Sequence, residues 1–401
     1  MPIPPFDLAS PAFKANPYPV YARLRESEPV HRARLGFRRG AWLVSRYDDV
    51  EALLKDPRFA KNPQNARKEG GGSDAPWMPG FLRPLTRNML DLDAPDHTRL
   101  RALVQKAFTP RLVEGLRPRI HALAHELMDR AGGGRMELVG GFALPIPLTI
   151  IAELLGVPAG DQQRFHRWTT RIVSVSSPVD IVGVLPAVRS LFRYLRTLFD
   201  ERRAEPRDDL ITALVQAEEA GDRLSEDELL GMVFLLLAAG HETTVNLIGT
   251  AALVLAQNPG QAAELRADPS RMKSAVEELA RYASPVELAT ERYAREDLSL
   301  CGVPIRRGEM VLGVIGSANR DPAHFADPDT LDLARDPNRH LAFGMGAHYC
   351  LGAPLARLET QVAISVLLER APDLRLAVPA ASLRWRKHAF LRGLRELPLA
   401  T

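Results

Sequence analysis

One apolar stretch restricts the folds that this chain can adopt. Residues 229–256 (LLGMVFLLLAAGHETTVNLIGTAALVLA) form a run that is long enough to cross a membrane as a helix. The polar sequence GHETT at 240–244 interrupts its centre, and such groups are costly at mid-span in lipid and usually mark function. A helix that is apolar on all sides can instead lie in the core of a large soluble protein. The stretch is therefore predicted to be a buried core helix, with no membrane anchor.

Most of the remaining periodicity is helical. Ser225 and Glu228 form a capping-box pattern at the start of the apolar run. Apolar residues at three-to-four spacing predict further helices at 19–26, 47–54, 95–107, 111–131 and 147–155. Strand patterns are few, at 41–45, 298–300 and 310–314, and the last two flank turn residues of a predicted small antiparallel unit. The chain is predicted to be mainly α with a minor β part, in a single domain over residues 1–401.

The charge and cysteine content exclude several functional classes. A formal net charge of +3 is small for 401 residues, and no basic arm or acidic tail is present, so nucleic acid is not an expected partner. Two cysteines, Cys301 and Cys350, are too few for a disulfide framework and indicate a reducing compartment. The N-terminal segment lacks the apolar core of a signal peptide. We therefore expect a cytoplasmic protein.

The second cysteine lies in a glycine-rich turn that suits a metal thiolate. Residues 343–352 (FGMGAHYCLG) have the pattern F-x-x-G-x-x-x-C-x-G. A cysteine that binds iron must be a thiolate, so its surroundings must favour negative sulfur. Gly346 and Gly352 allow close approach of the backbone, and the sequence after Cys350 reads as a helix with Pro354 in its first turn. The positive end of that helix would stabilise the thiolate.

The segment HLAFGMGAHYCLGAPLARLE resembles the haem-binding loop of the cytochrome P450 family, especially its soluble bacterial members. The resemblance extends over essentially the whole chain, from NPYPVYARLR to RGLRELPL. It implies the cytochrome P450 fold, a helix-rich triangular prism around a buried haem b (iron protoporphyrin IX). It also implies that Cys350 is the axial iron ligand, whereas Cys301 is interpreted as a structural cysteine.

The sequence AGHETT in the apolar run carries the second functional pattern. Gly and Thr are poor residues for the middle of a helix, and a threonine hydroxyl can bond a preceding carbonyl and bend the helix. A widened turn is therefore expected there. In the family, an acid and an alcohol at this position relay protons during dioxygen activation. The resemblance assigns the alcohol to Thr243 and the acid to Glu242.

Further residues receive supporting roles from the resemblance. Glu278 and Arg281 form an E-x-x-R pattern, which resembles the structural ion pair of the family, with Arg339 as a third member. Buried haem propionates need cationic or hydrogen-bonding partners. The family places such partners at positions that correspond here to His97, Arg101, Arg292 and His348.

The implied function is that of a haem-thiolate monooxygenase. Such an enzyme inserts one oxygen atom from O2 into a lipophilic small molecule by hydroxylation or epoxidation, and the substrate could be a terpenoid, steroid, fatty acid or polyketide. Electrons would come from a separate ferredoxin and an NAD(P)H-dependent ferredoxin reductase, and the protein is expected to be a monomer. Basic residues near the cysteine are candidates for docking the ferredoxin: Arg99, Lys106, Arg111, Arg335, Arg339 and Arg357. About half of them, Arg339 above all, are expected to have structural roles instead.

Three alternative functions stay open at this point. A haem-thiolate peroxygenase would use peroxide and would not need the acid and alcohol, so the presence of Glu242 and Thr243 favours dioxygen. A non-catalytic haem sensor would need neither a proton relay nor a roomy substrate pocket. A helical protein without haem would be colourless when purified.

Overall fold

A computed structural model describes residues 6–34, 40–67, 80–173, 178–219 and 222–401. Helices dominate this part of the chain, in agreement with the predicted fold class. The α-helices are α1 (Pro11–Ala15), α2 (Tyr18–Ser27), α3 (Tyr47–Lys55), α4 (Asp96–Ala107), α5 (Pro110–Gly115), α6 (Arg117–Ala131), α7 (Pro145–Leu154), α8 (Ala159–Val173), α9 (Pro178–Ala204), α10 (Leu210–Gln216), α11 (Glu226–Gln257), α12 (Pro259–Ala267), α13 (Met272–Ala283), α14 (Ile315–Ala318) and α15 (Ala353–Arg370).

The strands in the described ranges are short. They are β1 (Val30–Ala33), β2 (Ala41–Val44), β3 (Phe59–Ala60), β4 (Arg135–Glu137), β5 (Glu218–Glu219), β6 (Asp222–Arg223), β7 (Arg292–Ala294), β8 (Leu298–Leu300), β9 (Val303–Ile305), β10 (Met310–Gly313), β11 (Arg375–Leu376) and β12 (Pro398–Ala400). The largest sheet has the order β1-β2-β10-β7-β3, and only its β2–β10 pair is parallel. A three-stranded sheet has the order β11-β12-β4, and β5–β6 and β8–β9 are hairpins.

The predicted helices are present, but one of them is divided. The pattern at 111–131 predicts one helix, whereas the structure has α5 and α6 with Leu116 between them. Pro118 explains the break, because proline lacks the N–H of a continuing helix and clashes with the carbonyl four residues earlier. It is tolerated in the first turn of the new helix. The capping box is confirmed: Ser225 N–H donates to Glu228 Oε2 (2.8 Å), and Glu228 N–H donates to Ser225 Oγ (3.4 Å).

The predicted small antiparallel unit at residues 298–314 is present in part. β8 pairs with β9 in an antiparallel hairpin, as predicted, whereas β10 lies outside this unit, between β2 and β7 in the larger sheet. The turn explains the outcome, because Cys301 (φ +49°) and Gly302 (φ +81°) both adopt left-handed backbone. Two such residues form the tight hairpin turn that suits twisted strands. Cys301 is thus an exposed turn residue.

The chain divides into two compact units. The first consists of Met1–Gly71, Arg119–Ala143 and Thr243–Thr401, and the second of Gly72–Pro118 and Leu144–Glu242. The first unit contains the five-stranded and three-stranded sheets. Its apolar core includes Val50 and Leu53 of α3 packed with Val311 of β10. Residues 68–79, which belong to the loop predicted at 62–79, lie outside the described residues.

Helix α11 contains the long apolar run at residues 229–256. By length and composition it could cross a membrane, and 56% of its most apolar 18-residue window is buried inside the protein. Its buried side chains include Leu229, Leu230 and Val233 in the first half and Ile248 and Leu255 in the second. This burial agrees with the predicted core helix, since an all-round apolar helix needs apolar surroundings.

One buried acid gives this fold a distinctive pH dependence. Glu359 lies in α15 with only 2% of its surface exposed, and burial raises the pKa of its carboxyl from 4.5 to about 8. The folded protein therefore holds this proton more tightly than the unfolded chain does. The contribution of this bound proton to the free energy of unfolding is complete below about pH 4.5, and it is lost as the pH rises through about 8.

We expect Glu359→Gln to be more stable than the wild type at about pH 8 and to lose this advantage as the pH falls toward about 5. The amide keeps the shape of the acid and cannot ionise. Urea unfolding of the holoprotein at several pH values would measure the difference. Glu205→Gln, at a side chain that is 79% exposed, is the matched control. An advantage of Glu359→Gln that does not change with pH would contradict the account.

Candidate active site

The loop that carries Cys350 is fixed by short backbone hydrogen bonds. Cys350 N–H donates to Phe343 O (2.9 Å), and Tyr349 N–H donates to Gly346 O (3.0 Å). Gly346 has φ +71°, and a Cβ on it would lie 3.0 Å from the carbonyl oxygen of Leu54. Any other residue would therefore be strained at this position. The predicted need for glycine holds at Gly346 for steric reasons.

Helix α15 begins directly after the cysteine. Gly352 is its N-cap with φ −79°, and a Cβ there would lie 3.9 Å from Cys350 Sγ, an ordinary contact. Glycine is thus not sterically required at 352, unlike at 346. The helix is 18 residues long, and the partial positive charge at its N-terminus lies beside the sulfur and favours a thiolate. Cys350 itself is exposed.

An ion-pair network ties the cysteine loop to α13. Arg357 of α15 donates to both carboxylate oxygens of Glu277 (2.6 and 2.7 Å) and to the Tyr349 hydroxyl (3.0 Å). The same guanidinium lies 4.2 Å from the ring centroid of Phe343. His340 also bonds Glu277 (3.1 Å). Burial alone would raise the pKa of Glu277, but the hydrogen bonds from His340 and Arg357 lower it to about 2, so the carboxylate stays ionised.

This network was not predicted from the sequence. The sequence contains one local signal of the network: Glu277 directly precedes Glu278, the acid of the E-x-x-R pattern. Glu277 and Arg357 are 80 residues apart, and no sequence periodicity connects residues at that distance.

The E-x-x-R ion pair is present and completely buried. Arg281 donates to both oxygens of Glu278 at 2.7 Å, and both side chains are 0% exposed. The third cation is Arg335, whose Nε lies 3.2 Å from Glu278 Oε2, so the prediction of Arg339 is wrong. Arg339 is exposed, and its carbonyl accepts from the Tyr47 hydroxyl. Spacing alone could not decide between two arginines four residues apart.

Glu242 and Thr243 lie in the middle of α11, where one face of the helix is exposed. Ala239 and Gly240 are exposed, Glu242 and Thr243 are partly buried, and His241 is buried. Apart from its chain neighbours and the backbone of its own helix, no atom would lie within 4 Å of a Cβ on Gly240. The predicted widened turn is not observed, because α11 is a continuous α-helix from 226 to 257. The two exposed residues, Ala239 and Gly240, are small, which leaves space on the helix surface one turn before Thr243.

The four predicted propionate partners occupy different elements of the two units. In the first unit, Arg292 lies in β7 and is 4% exposed, and His348 lies in the short 3-10 turn Gly346–His348 before Cys350. In the second unit, His97 (4% exposed) and Arg101 (partly buried) lie one turn apart on α4. Spacing of four puts the latter two on one helical face, as predicted.

Several cations that were expected to dock a ferredoxin are used inside the protein. Arg99 of α4 is paired with Glu228, the acid of the capping box. Arg335 and Arg357 are bound to Glu278 and Glu277. The docking hypothesis therefore keeps only the exposed members of its set: Lys106, Arg111 and Arg339.

A pocket of about 450 Å³ in the first unit contains none of the predicted site residues. Its lining includes Tyr18, Arg320 and Arg392, which are connected by guanidinium–aromatic contacts of 4.3 Å (Arg320) and 5.5 Å (Arg392) to the Tyr18 ring. The predicted site and this pocket are therefore composed of different residues.

The donor set fits haem b. Cys350 offers an accessible sulfur at a helix N-terminus, on a loop whose backbone is fixed from 343 to 353. A single thiolate is one of the axial ligands that proteins give to haem iron. His97 and Arg292 are polar or cationic side chains buried in the protein, and the carboxylates of a propionate-bearing group are suitable anions for such side chains.

Comparisons with known proteins agree with this geometry. A family model described as cytochrome P450 matches residues 186–371. Cytochrome P450 107B1 of Saccharopolyspora erythraea is 49% identical, with 97% of this chain and 96% of that protein covered. The mycinamicin IV hydroxylase/epoxidase of Micromonospora griseorubida is 46% identical, with 94% of both chains covered. The solved structure of the Bacillus subtilis bacillaene polyketide synthase cytochrome P450 PksS is 44% identical and has a TM-score of 0.92, with 98% of this chain and 99% of that chain covered.

The chain belongs to the cytochrome P450 family. Its cofactor is haem b, and it is a monooxygenase that transfers one oxygen atom from O2 to a lipophilic small molecule. Enzymes of this class receive their electrons from redox partners. Both the predicted family and the predicted reaction class are thereby confirmed.

Arg357→Ala should weaken haem retention, because it leaves the Glu277 carboxylate without its bidentate partner and releases Phe343 and Tyr349. An unsatisfied, partly buried acceptor is expected to cost about 1–3 kcal/mol. Arg357→Lys keeps the charge but loses the two-pronged geometry and should be intermediate. Haem occupancy after gel filtration is the measurement. Arg370→Ala is the matched control, since this arginine of the same helix pairs with Asp129, which is 66% exposed. Equal occupancy in Arg357→Ala and Arg370→Ala would contradict the role.

Proposed function

We propose that this enzyme hydroxylates or epoxidises a polyketide-derived small molecule. The observation that carries the proposal is the full-length similarity, at 44–46% identity, to a P450 named for polyketide biosynthesis and to one named for mycinamicin IV hydroxylation and epoxidation. Among the four substrate classes that the sequence leaves open, we prefer the polyketide class on the names of these two proteins. Apolar pocket lining suits every lipophilic class and does not separate them.

Cys350 is the proposed axial ligand of the haem iron. It lies beside the N-terminus of an 18-residue helix, and its loop is held both by its own hydrogen bonds and by Arg357. Cys301 lies in a hairpin turn, where partial burial of the sulfur and the neighbouring Asp49 carboxylate raise the pKa of the thiol to about 11. A thiol with a raised pKa is a poor thiolate ligand, so Cys350 is the better candidate.

His97, Arg101, Arg292 and His348 are the proposed partners of the two haem propionates. The support is residue by residue, from the family pattern, together with the burial of His97 and Arg292. Charge-assisted hydrogen bonds to carboxylates are the strongest polar contacts available to such side chains.

Thr243 and Glu242 are the proposed proton-delivering pair. The exposed face of α11 at Ala239 and Gly240 provides room one turn before Thr243. Haem supplies the oxygen chemistry when it is bound. The contribution of this chain is a hydroxyl and a carboxyl that can hold and pass protons at one place on a buried helix.

We further propose that a separate ferredoxin and an NAD(P)H-dependent ferredoxin reductase supply the electrons. The protein would act as a cytoplasmic monomer in one P450 domain over residues 1–401. The bacterial relatives, matched over nearly their full length, support the single P450 domain, and the low cysteine content supports the cytoplasmic location.

Thr243→Ala should keep substrate binding and the absorbance change that it causes, but it should divert reductant from product to peroxide. General acid assistance is typically worth about 10²–10⁴-fold, so product formed per NAD(P)H should fall steeply. The assay uses a polyketide macrolactone panel with a ferredoxin and its reductase, and omission of the ferredoxin should abolish turnover.

Thr244→Ala is the control for this assay, since Thr244 is the adjacent threonine and is 2% exposed. Unchanged coupling in Thr243→Ala would refute its role in proton delivery. Turnover of steroids or fatty acids with no macrolactone binding would refute the proposed substrate class.

A further inference from the structure

A cluster of possible metal ligands lies at the surface of the first unit, away from the cysteine. His121 and His125 are one turn apart on α6, with ring centroids 4.5 Å apart. Glu369, near the C-terminal end of α15, places Oε2 3.9 Å from His125 Nε2. One ligand atom from each of the three residues lies within 4.8 Å of the other two. Three possible metal ligands from two helices therefore lie close together.

The chemistry of these donors is that of a zinc site. Two histidines four residues apart on one helical face are a recognised zinc-binding arrangement. Zn²⁺ binds imidazole nitrogen and carboxylate oxygen at about 2.0–2.2 Å, and water can fill the fourth tetrahedral position. These separations are larger than those between the ligands of one bound ion. A side-chain rotation closes the difference, because His121 is exposed and Glu369 is 62% exposed.

We propose that His121, His125 and Glu369 form a surface binding site for a divalent transition metal of the zinc type, which links α6 to α15. The site is independent of the haem reaction. Glu369 lies 16 residues beyond Ala353, where α15 begins, and a rise of 1.5 Å per residue places it about 24 Å along the helix from the cysteine end.

Arg370 sets the affinity of this site. Its guanidinium bonds Asp129 (2.6 Å) and lies 3.4 Å from His125 Nδ1. When a metal binds Nε2 of His125, the neutral imidazole carries its proton on Nδ1. Nδ1 can then no longer accept from Arg370, so this contact is lost. The positive charge also repels a bound cation. Asp129, one turn beyond His125, neutralises part of this charge and keeps the guanidinium in place.

Zinc sulfate titrated into the tag-free holoenzyme, followed by isothermal titration calorimetry, tests the proposal. One Zn²⁺ per chain should bind at this site. His121→Ala, His125→Ala and Glu369→Gln should each weaken binding by at least about 10-fold, since even outer-shell partners of metal sites are worth 10–100-fold. Arg370→Gln should tighten it. His31→Ala is the matched control, because it removes one imidazole from another imidazole–carboxylate pair, that with Glu28, and should change nothing.

Anomalous diffraction at the zinc edge from soaked crystals supplies the second readout, with a peak expected between the three side chains. Absence of zinc binding to the wild type would overturn the proposal. So would binding that is equally tight in the His121→Ala/His125→Ala double variant, whose haem spectrum would show that it has folded.

Discussion

The arrangement of the cysteine loop depends on one buried ion pair, that between Glu278 and Arg281. Both side chains are inaccessible to solvent, and a buried pair is stabilising only when its remaining hydrogen-bonding capacity is also satisfied. Here it is satisfied by the segment that precedes the loop. Glu278 accepts from Arg335, from Asn338 Nδ2 (3.1 Å) and from Asp332 N–H (3.0 Å). The pair therefore fixes a stretch of chain that has no regular secondary structure to hold it.

The constraint passes from the pair to the cysteine through Asn319. Arg281 donates to Asn319 O (2.8 Å), and the Asn319 side chain accepts from Leu341 N–H (2.8 Å) at the start of the loop. The neighbouring acid, Glu277, holds the other side of the loop through Arg357. Two adjacent acids of α13 thus position the turn before Cys350 and the helix after it. Rigid support of this kind is what a metal ligand needs, because ligand geometry must be held by residues around it.

The sequence predicted what depends on local patterns and missed what depends on distant partners. The helices follow from apolar periodicity, the start of α11 from the Ser225–Glu228 capping box, and the cysteine loop from its glycine spacing. The glycines indicate turns after β8, but the strand that pairs with it depends on the left-handed backbone of Cys301, a conformation that non-glycine residues adopt only in few contexts. Arg335 and Arg357 were interpreted as docking cations because their acidic partners lie far away in the sequence.

The central claim is that Cys350 binds the haem iron as a thiolate, and the absorbance of the reduced, carbon-monoxide-bound protein tests it most directly. The account predicts the strongly red-shifted band of thiolate ligation in the wild type and in Cys301→Ser. It predicts loss of this band in Cys350→His, with some haem retained by the imidazole. A Cys350→His protein that kept the red-shifted band, or a wild type that lacked it while binding haem fully, would contradict the assignment.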